Sequence, residues 1–367
     1  MHHILSSIHR LGGLSMFQKE LFELETISKG VGNLPEYVQG GGGNTSVKLN
    51  DELMAVKASG FKLNQITSKE GYVVINYKNI KNYYENVDIS SHTDFEKESV
   101  EFAKNNVVEM EGFKILRPSV EAGFHSIMKK YVVHTHPVYA NMLCCSFKGK
   151  DIVEEIFRDM KYKCIWIPYI NPGFCLTLKI KEGIEKCITD TGVFPEVIFM
   201  ENHGLVVTTD DYMYALALHD EVNDLIKNYL EIKTLFPEIK LENIGEAHYR
   251  SNTRYILDSF SRGKIDNDYI DKVALYPDQL VYLNKNISIN GAKNKLNVNT
   301  TTKEIIYDAS YAEALTIEET LLGYLYVINN IEEAGLPLKT MSAKEIDFIN
   351  NWESEAYRKS LVKDLTK

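Results

Sequence analysis

The sequence predicts an α/β protein with a C-terminal extension. Through the first two thirds of the 367 residues, runs with apolar residues at helical spacing alternate with short apolar strands. After about residue 233 the chain becomes more polar and irregular, and helical spacing returns only near the end. We therefore divide the chain into an irregular segment 1–16, a main domain 17–232 and an extension 233–367 of mixed β and helical character, which we expect to dock on the core.

The first half of the main domain is predicted to contain a helix, a small β meander and two further helices. The first helix begins near Met16 and ends in glycine. Predicted strands follow the glycine cluster 40–43, and the later helices lead into an apolar strand. In order, these segments are strands at 45–50, 51–59 and 71–77, helices at 94–106 and 119–130, and a strand at 131–137.

The second half of the main domain continues the alternation and ends in a long amphipathic helix. The segments are a helix at 138–146, a strand at 162–170, a helix at 176–191, a strand at 195–200 that continues through 204–209, and a helix at 210–232. In the extension, the Asn-Gly pair at 290–291 predicts a hairpin turn. Two helices at 309–338 and 342–361 are predicted to close the chain.

Composition excludes several classes of function. A formal net charge of −10 without clustered Lys and Arg argues against a nucleic-acid partner. No apolar run approaches the roughly 20 residues of a membrane span, and the N-terminus lacks the pattern of a secretory signal. The five cysteines form no C-x-x-C pair and are expected to be reduced. We therefore expect a cytoplasmic protein with no membrane partner.

Three histidines indicate a metal site. His134 and His136 alternate on a predicted strand, so both imidazoles can face one ion. Taken alone, this pair fits metal binding and two ordinary histidines equally well. His203 follows another apolar strand, beside a glycine that allows a tight turn. Three histidines with an open fourth position form the catalytic arrangement for zinc.

Five motifs occur in an order that resembles the class II aldolase and adducin family over about residues 17–232. They are G-G-G-N-T-S-V at 41–47, S-G at 59–60, R-P-S-V-E at 117–121, H-T-H-P at 134–137 and E-N-H-G at 201–204. The resemblance implies a central, mainly antiparallel sheet flanked by helices, a zinc ion or another divalent transition metal, and a homotetramer. The motif W-E-x-E-x-Y-R-x-S-L at 352–361 is similar to the end of longer aldolase domains, such as the one fused to a dehydrogenase in bifunctional rhamnulose-phosphate aldolases.

The resemblance also implies roles for individual residues. Glu121 matches the catalytic acid/base, although an acid in the first turn of a helix is also favoured by the helix dipole. The residues that match the phosphate-binding positions are Asn44, Ser59, Gly60 and Ser119. The glycines at 40–43 and Gly60, together with Ser119, would present backbone N–H groups to an anion. Ordinary turn chemistry also explains Ser59 and Gly60.

Four further residues leave alternatives open. The family carries a second serine where this chain has Val120, so one hydroxyl donor to a phosphate is absent. His125, four residues after Glu121, could orient that residue or be a core histidine. Tyr162 and Tyr169 are candidates, by position only, for the proton-donating tyrosine that related aldolases take from a neighbouring subunit.

The resemblance implies a zinc-dependent aldolase. It would cleave a phosphorylated ketose reversibly to dihydroxyacetone phosphate and an aldehyde, with a metal-stabilised enediolate and Glu121 as proton carrier. A sugar-phosphate dehydratase or 4-epimerase on the same metal site is the alternative. The epimerases place an aspartate where Glu121 stands, which favours an aldolase over an epimerase. An adducin-like binding protein without catalysis is less favoured, because all three histidines and the glutamate are present.

Overall fold

Two β-sheets organise the chain in the computed structural model, which describes residues 16–91, 94–109 and 116–351. The first fifteen residues of the expected irregular segment and the motif at 352–361 lie outside these ranges. The described main-domain elements are α1 (Gln18–Gly32), β1 (Asn44–Lys48), β2 (Leu53–Lys57), β3 (Tyr72–Asn76), α2 (Tyr77–Asn86), α3 (Phe95–Asn105), α4 (Ala122–Ser126), β4 (Tyr131–Thr135), α5 (Val138–Cys144), α6 (Gly149–Ile156), β5 (Cys164–Ile167), α7 (Phe174–Thr191), β6 (Val197–Met200), β7 (Gly204–Thr209) and α8 (Tyr212–Tyr229).

The central sheet has seven strands in the order β3-β2-β1-β4-β7-β6-β5. Its neighbouring strands are antiparallel except for the parallel pair β5 and β6. The expected central, mainly antiparallel sheet is therefore confirmed. Its middle strands are buried on both faces, which explains why β4 and β7 read as continuous apolar runs in the sequence.

The helix predicted at 119–130 is shorter than expected. Only α4 is helical there, and the chain turns before β4 begins. The ammonium group of Lys48, a largely buried side chain on β1, donates hydrogen bonds to the carbonyl oxygens of Met128 and of Lys129, the latter at 2.7 Å. Because these carbonyls face a buried cation instead of continuing a helical ladder, the helix ends and the chain enters the sheet.

The strand predicted to run from 195 through 209 is instead two strands that form a hairpin. β6 and β7 pair antiparallel, with Met200 opposite Gly204. Asn202 lies between them with a φ of 49°, a left-handed conformation that asparagine tolerates better than most residues. The reversal places residues 201–203 in a tight turn at the end of the sheet.

The extension forms a second sheet and several helices. Its elements are β8 (Leu241–Gly245), β9 (His248–Ser251), α9 (Arg254–Ser261), α10 (Asn267–Lys272), a π-helical turn (Gln279–Asn284), β10 (Ile287–Ile289), β11 (Leu296–Asn299), β12 (Glu304–Asp308), α11 (Tyr311–Glu333) and α12 (Ala343–Asn351). The five strands lie in the order β10-β11-β12-β9-β8. The hairpin predicted at Asn-Gly 290–291 is wrong, because β10 and β11 pair in parallel.

One apolar core joins the main domain to the extension. Leu24 of α1, Val222 of α8 and Leu322 of α11 belong to the same cluster of packed, buried side chains. α11 is buried along most of its length and packs against α5 and the π-helical turn. Within the described ranges, none of the helices is both long and apolar enough to cross a membrane.

Candidate active site

Three buried histidines converge at one end of the central sheet. His134 lies on β4, His136 follows it, and His203 lies in the turn between β6 and β7. Pairing of β4 with β7 brings the turn beside the end of β4. One ligand nitrogen from each ring lies within 4.8 Å of the other two. A Cβ at Gly204 would lie 2.8 Å from His136 Cδ2, so glycine there permits the close approach.

Hydrogen bonds orient two of the three rings. His134 Nδ1 lies 3.0 Å from the carbonyl oxygen of Leu205. His136 Nδ1 lies 2.5 Å from Asp278 Oδ2. Because both partners are acceptors, each Nδ1 carries the hydrogen and each Nε2 presents its lone pair. The two Nε2 atoms are 3.1 Å apart, which leaves both facing the same point.

The third ring and the burial of the cluster fit the same arrangement. His203 Nε2 faces Glu121 Oε1 at 3.2 Å, while its Nδ1 is buried without a hydrogen-bond partner among the described residues. Burial lowers the pKa of His134 well below its ordinary value, which favours the neutral imidazole that binds a metal ion. Three imidazoles beside a carboxylate are a donor set that suits zinc and similar divalent ions.

Glu121 lies directly beside the histidines. It is buried at the N-terminal cap of α4, with Oε1 3.2 Å from His203 Nε2 and Oε2 3.5 Å from His134 Nε2. Oε2 also accepts a hydrogen bond of 2.6 Å from Asn44 Nδ2. The carboxylate thus lies against two of the three histidines.

A buried hydrogen-bond chain extends from Glu121 through Asn44 to His125. Asn44 Oδ1 accepts from His125 Nε2, and His125 Nδ1 lies 2.7 Å from Ser46 Oγ. Burial lowers the pKa of His125 to about 3, so the ring is neutral, with Nε2 as donor and Nδ1 as acceptor. His125 therefore orients Asn44, and Asn44 orients Glu121.

The four residues matched to phosphate binding fall into two groups. Asn44 Nδ2 donates to Ser119 Oγ at 3.2 Å as well as to Glu121, so both residues lie at the histidine cluster. Ser59 and Gly60 form a turn alongside the segment that precedes Ser119, where Ser59 N donates to the carbonyl oxygen of Arg117 at 2.9 Å. Gly60 has a φ of 92°, which favours glycine.

The two candidate tyrosines have different surroundings within the chain. The Tyr162 hydroxyl donates to Glu221 Oε1 at 3.3 Å. Tyr169 packs against the apolar cluster of the extension that contains Met341 and Ile349.

Asp278 is a residue of the site that no sequence motif indicates. It lies in Y-P-D-Q-L, 142 residues after His136, and no spacing rule connects the two. One signal was available: Asp278 is an acidic residue inside an apolar run. An aspartate that is buried there needs a partner, because aspartate is almost never fully buried unless it is paired.

The sheet, its flanking helices and the converging histidines define an α/β protein with a site suited to a divalent metal ion. Residues 31–230 match the family described as the Class II Aldolase and Adducin N-terminal domain, and the chain belongs to this family. The match ends before the extension that contains Asp278.

Two relatives show different coverage. The uncharacterized oxidoreductase YuxG of Bacillus subtilis (strain 168) is 30% identical over 209 residues, which are 53% of this chain and 28% of that protein. The chain therefore spans less than a third of this relative. The 3-oxo-tetronate 4-phosphate decarboxylase of Haemophilus influenzae is 26% identical over 212 residues, 54% of this chain and 80% of that protein.

Solved structures of similar chains include two that cover comparable parts. The N-terminal class II aldolase domain of a conserved protein from Thermoplasma acidophilum is 25% identical, with a TM-score of 0.48 over 58% of this chain and 95% of that chain. L-fuculose 1-phosphate aldolase from Glaciozyma antarctica is 12% identical, with a TM-score of 0.38 over 58% and 72%.

Proposed function

We propose that the chain is a zinc-dependent aldolase that cleaves a phosphorylated ketose by a reversible retro-aldol reaction. One observation carries the proposal: the buried Glu121 carboxylate lies 3.2 Å from His203 Nε2 and 3.5 Å from His134 Nε2. A carboxylate beside a candidate metal site could serve as an acid/base, and membership of the family also supports the proposal.

His134, His136 and His203 would hold the ion through their Nε2 atoms. A divalent ion bound there would supply Lewis-acid chemistry, polarising a substrate carbonyl and stabilising negative charge next to it. Three neutral ligands keep the ion's full positive charge available for this purpose. Another divalent transition metal would bind the same donors.

Glu121 would carry the proton between the substrate's hydroxyl or carbon and the site. Asn44 holds its Oε2 at 2.6 Å, which restrains the carboxylate while Oε1 remains on the histidine side. A positioned carboxylate of this kind typically contributes a factor of roughly 10² to 10⁴ in rate. Ser59, Gly60 and Ser119, with Asn44, would bind the substrate phosphate.

A decarboxylase is the second candidate, because one relative is named a 3-oxo-tetronate 4-phosphate decarboxylase and matches over 80% of its length. Retro-aldol cleavage and decarboxylation both break a carbon-carbon bond and leave charge next to a carbonyl. The same metal ion could stabilise that charge in either reaction. The products differ, since one reaction releases an aldehyde and the other releases carbon dioxide.

The proposed reaction is tested with protein stripped of metal by a chelator and reloaded with zinc. A panel of ketose phosphates is assayed for dihydroxyacetone phosphate, and a panel of phosphorylated 3-oxo acids is assayed for carbon dioxide. His134→Ala, which removes one ligand, serves as the inactive control. If the parent forms an aldehyde and dihydroxyacetone phosphate while His134→Ala does not, the result supports the aldolase. Release of carbon dioxide by the parent supports the decarboxylase instead. If neither panel gives a product, both candidates are contradicted.

We also propose that the chain assembles as a homotetramer, as the resemblance to the family implies. Light scattering of the purified full chain should then give a mass about four times the chain mass of 42.0 kDa. A concentration-independent mass of one chain would contradict this part of the proposal.

A further inference from the structure

We propose that Asp278 is a positioning residue of the metal site, so that the extension completes a site whose ligands all come from the main domain. The carboxylate accepts the hydrogen bond from His136 Nδ1 and thereby directs the Nε2 lone pair to the ion. This inference rests on the proposed metal site, but it concerns metal affinity and not the reaction.

The contact between His136 and Asp278 is short and buried. Nδ1 lies 2.5 Å from Oδ2, and the side chains are 5% and 1% exposed. A carboxylate accepts only, so it selects the tautomer with hydrogen on Nδ1 and makes Nε2 a stronger donor to a metal. Asp278 precedes the π-helical turn, yet its side chain makes no capping hydrogen bond to that turn. Capping therefore does not account for its position.

Gly42 provides the space for this contact. A Cβ at residue 42 would overlap Asp278 Oδ2 and would lie 2.7 Å from His136 Nδ1. A Cβ at neighbouring Gly41 would lie 2.6 Å from the Tyr282 hydroxyl oxygen. The backbone N–H of Gly40 donates a hydrogen bond of 2.9 Å to Glu319 Oε2. The glycine cluster thus accommodates side chains of the extension.

Other contacts hold the segment before Asp278 against the turn that carries His203. Asn202 Nδ2 donates to the carbonyl oxygen of Leu275 at 2.8 Å and to that of Lys339 at 3.0 Å. Lys339 Nζ also pairs with Glu201 Oε1 at 2.7 Å. Because the extension contacts both ligand-bearing segments, its docking sets the position of Asp278 relative to the histidines.

The test measures zinc affinity of the full chain by competition with a chromophoric chelator, without substrate. Asp278→Asn retains the size of the side chain but removes the charge. Loss of such a partner typically weakens metal binding by roughly 10- to 100-fold. We expect that loss together with a changed visible absorption spectrum of the cobalt-substituted protein. Asp268→Asn, at an exposed carboxylate of the same extension, is the matched control and should bind like the parent.

A second variant keeps the test decisive if Asp278→Asn fails to fold. Gly42→Ala keeps aspartate at position 278, but the added methyl group would push its carboxylate away from His136 Nδ1, and zinc binding should weaken as it does in Asp278→Asn. Combining the two changes should cost little more than Asp278→Asn alone, since both disrupt one contact. Parent-like affinity and cobalt spectra in folded Asp278→Asn or Gly42→Ala would overturn the proposal. A parent chain that binds no zinc would instead remove the metal site itself, and the positioning role with it.

Discussion

The buried Glu121 carboxylate contacts the Asn44 amide and two imidazole rings, an environment unlike that of an exposed acid in the first turn of a helix. Helix-dipole stabilisation alone would leave such a residue at the surface. Its burial beside three histidines favours a role in the chemistry of the site. Substitution of Glu121 can therefore test whether proton transfer and metal binding are separable.

Glu121→Gln should separate proton transfer from metal binding. Glutamine keeps the size and one hydrogen-bonding oxygen, but its neutral amide cannot act as a general acid or base near neutral pH. We expect zinc content to persist while turnover falls by roughly 10² to 10⁴-fold. Glu182→Gln, at an exposed glutamate of α7, provides the control. Turnover equal to the parent's would remove Glu121 from the mechanism.

His125 predicts a pH dependence of stability. Burial lowers its pKa from 6.5 to about 3, so between these values the unfolded chain binds a proton that the folded chain does not. Stability therefore falls as the pH decreases below about 6.5. This residue contributes up to about 1.4 kcal/mol per pH unit to the fall.

The contribution of His125 can be isolated by comparing the parent with His125→Gln, both without metal. Urea unfolding at several pH values from 7.5 to 4.5 gives the slope of the free energy of unfolding for each. The free energy of unfolding should change less steeply with pH in the variant than in the parent, because the variant takes up about one proton fewer when it unfolds. Identical slopes would mean that His125 titrates in the folded protein as it does in the unfolded chain.

At the scale of elements, the turn between β6 and β7 joins the sheet to the extension through Asn202. The residue combines a left-handed backbone conformation with two side-chain hydrogen bonds to carbonyl oxygens of the extension. Asn202→Gly should retain the conformation and lose the hydrogen bonds, which destabilises the protein by about 1 to 3 kcal/mol. Asn202→Ala should lose a further ~1 to 2 kcal/mol through backbone strain.

Urea unfolding of the two Asn202 variants checks this order. The difference in the free energy of unfolding between Asn202→Gly and Asn202→Ala gives the cost of backbone strain. The difference between Asn202→Gly and the parent gives the contribution of the lost hydrogen bonds. Equal stability of all three proteins would show that the turn does not anchor the extension.

The parallel pairing of β10 and β11 shows why local turn signals failed in the extension. Asn290 adopts a φ of 51°, as its Asn-Gly context suggests. However, its backbone N–H donates to the carbonyl oxygen of Val298, and the chain loops out and re-enters in the same direction. This arrangement buries Ile287 and Ile289 together with Leu296 and Val298, so nonlocal burial outweighs the local turn preference.

At the scale of the whole molecule, we expect the main domain to depend on the extension for its fold. Leu275 and Leu322 of the extension belong to the apolar cluster that contains Leu24 and Leu143 of the main domain. A chain ending at residue 232 would expose this surface, and we expect it to be insoluble or to lack the near-ultraviolet circular dichroism of a packed core.

Limited proteolysis of the full chain tests the same dependence without truncation. Cleavage near residue 235 should be slow and should be followed by degradation of both parts. A stable fragment ending near residue 235 that retains zinc and assembly would show that the extension is only tethered.

Local patterns in the sequence predicted the alternation of strands and helices, the shared face of His134 and His136 and the candidate ligand His203, whereas Glu121 was selected only through the motif that resembles the family. These features depend on side-chain periodicity along one segment, or on motifs read directly from residues. Only the tertiary structure determined the short α4, the β6 and β7 hairpin and the contact between His136 and Asp278. Each of these depends on partners that are distant in sequence, whose buried polar groups and apolar side chains must be satisfied together, and no local pattern encodes that requirement.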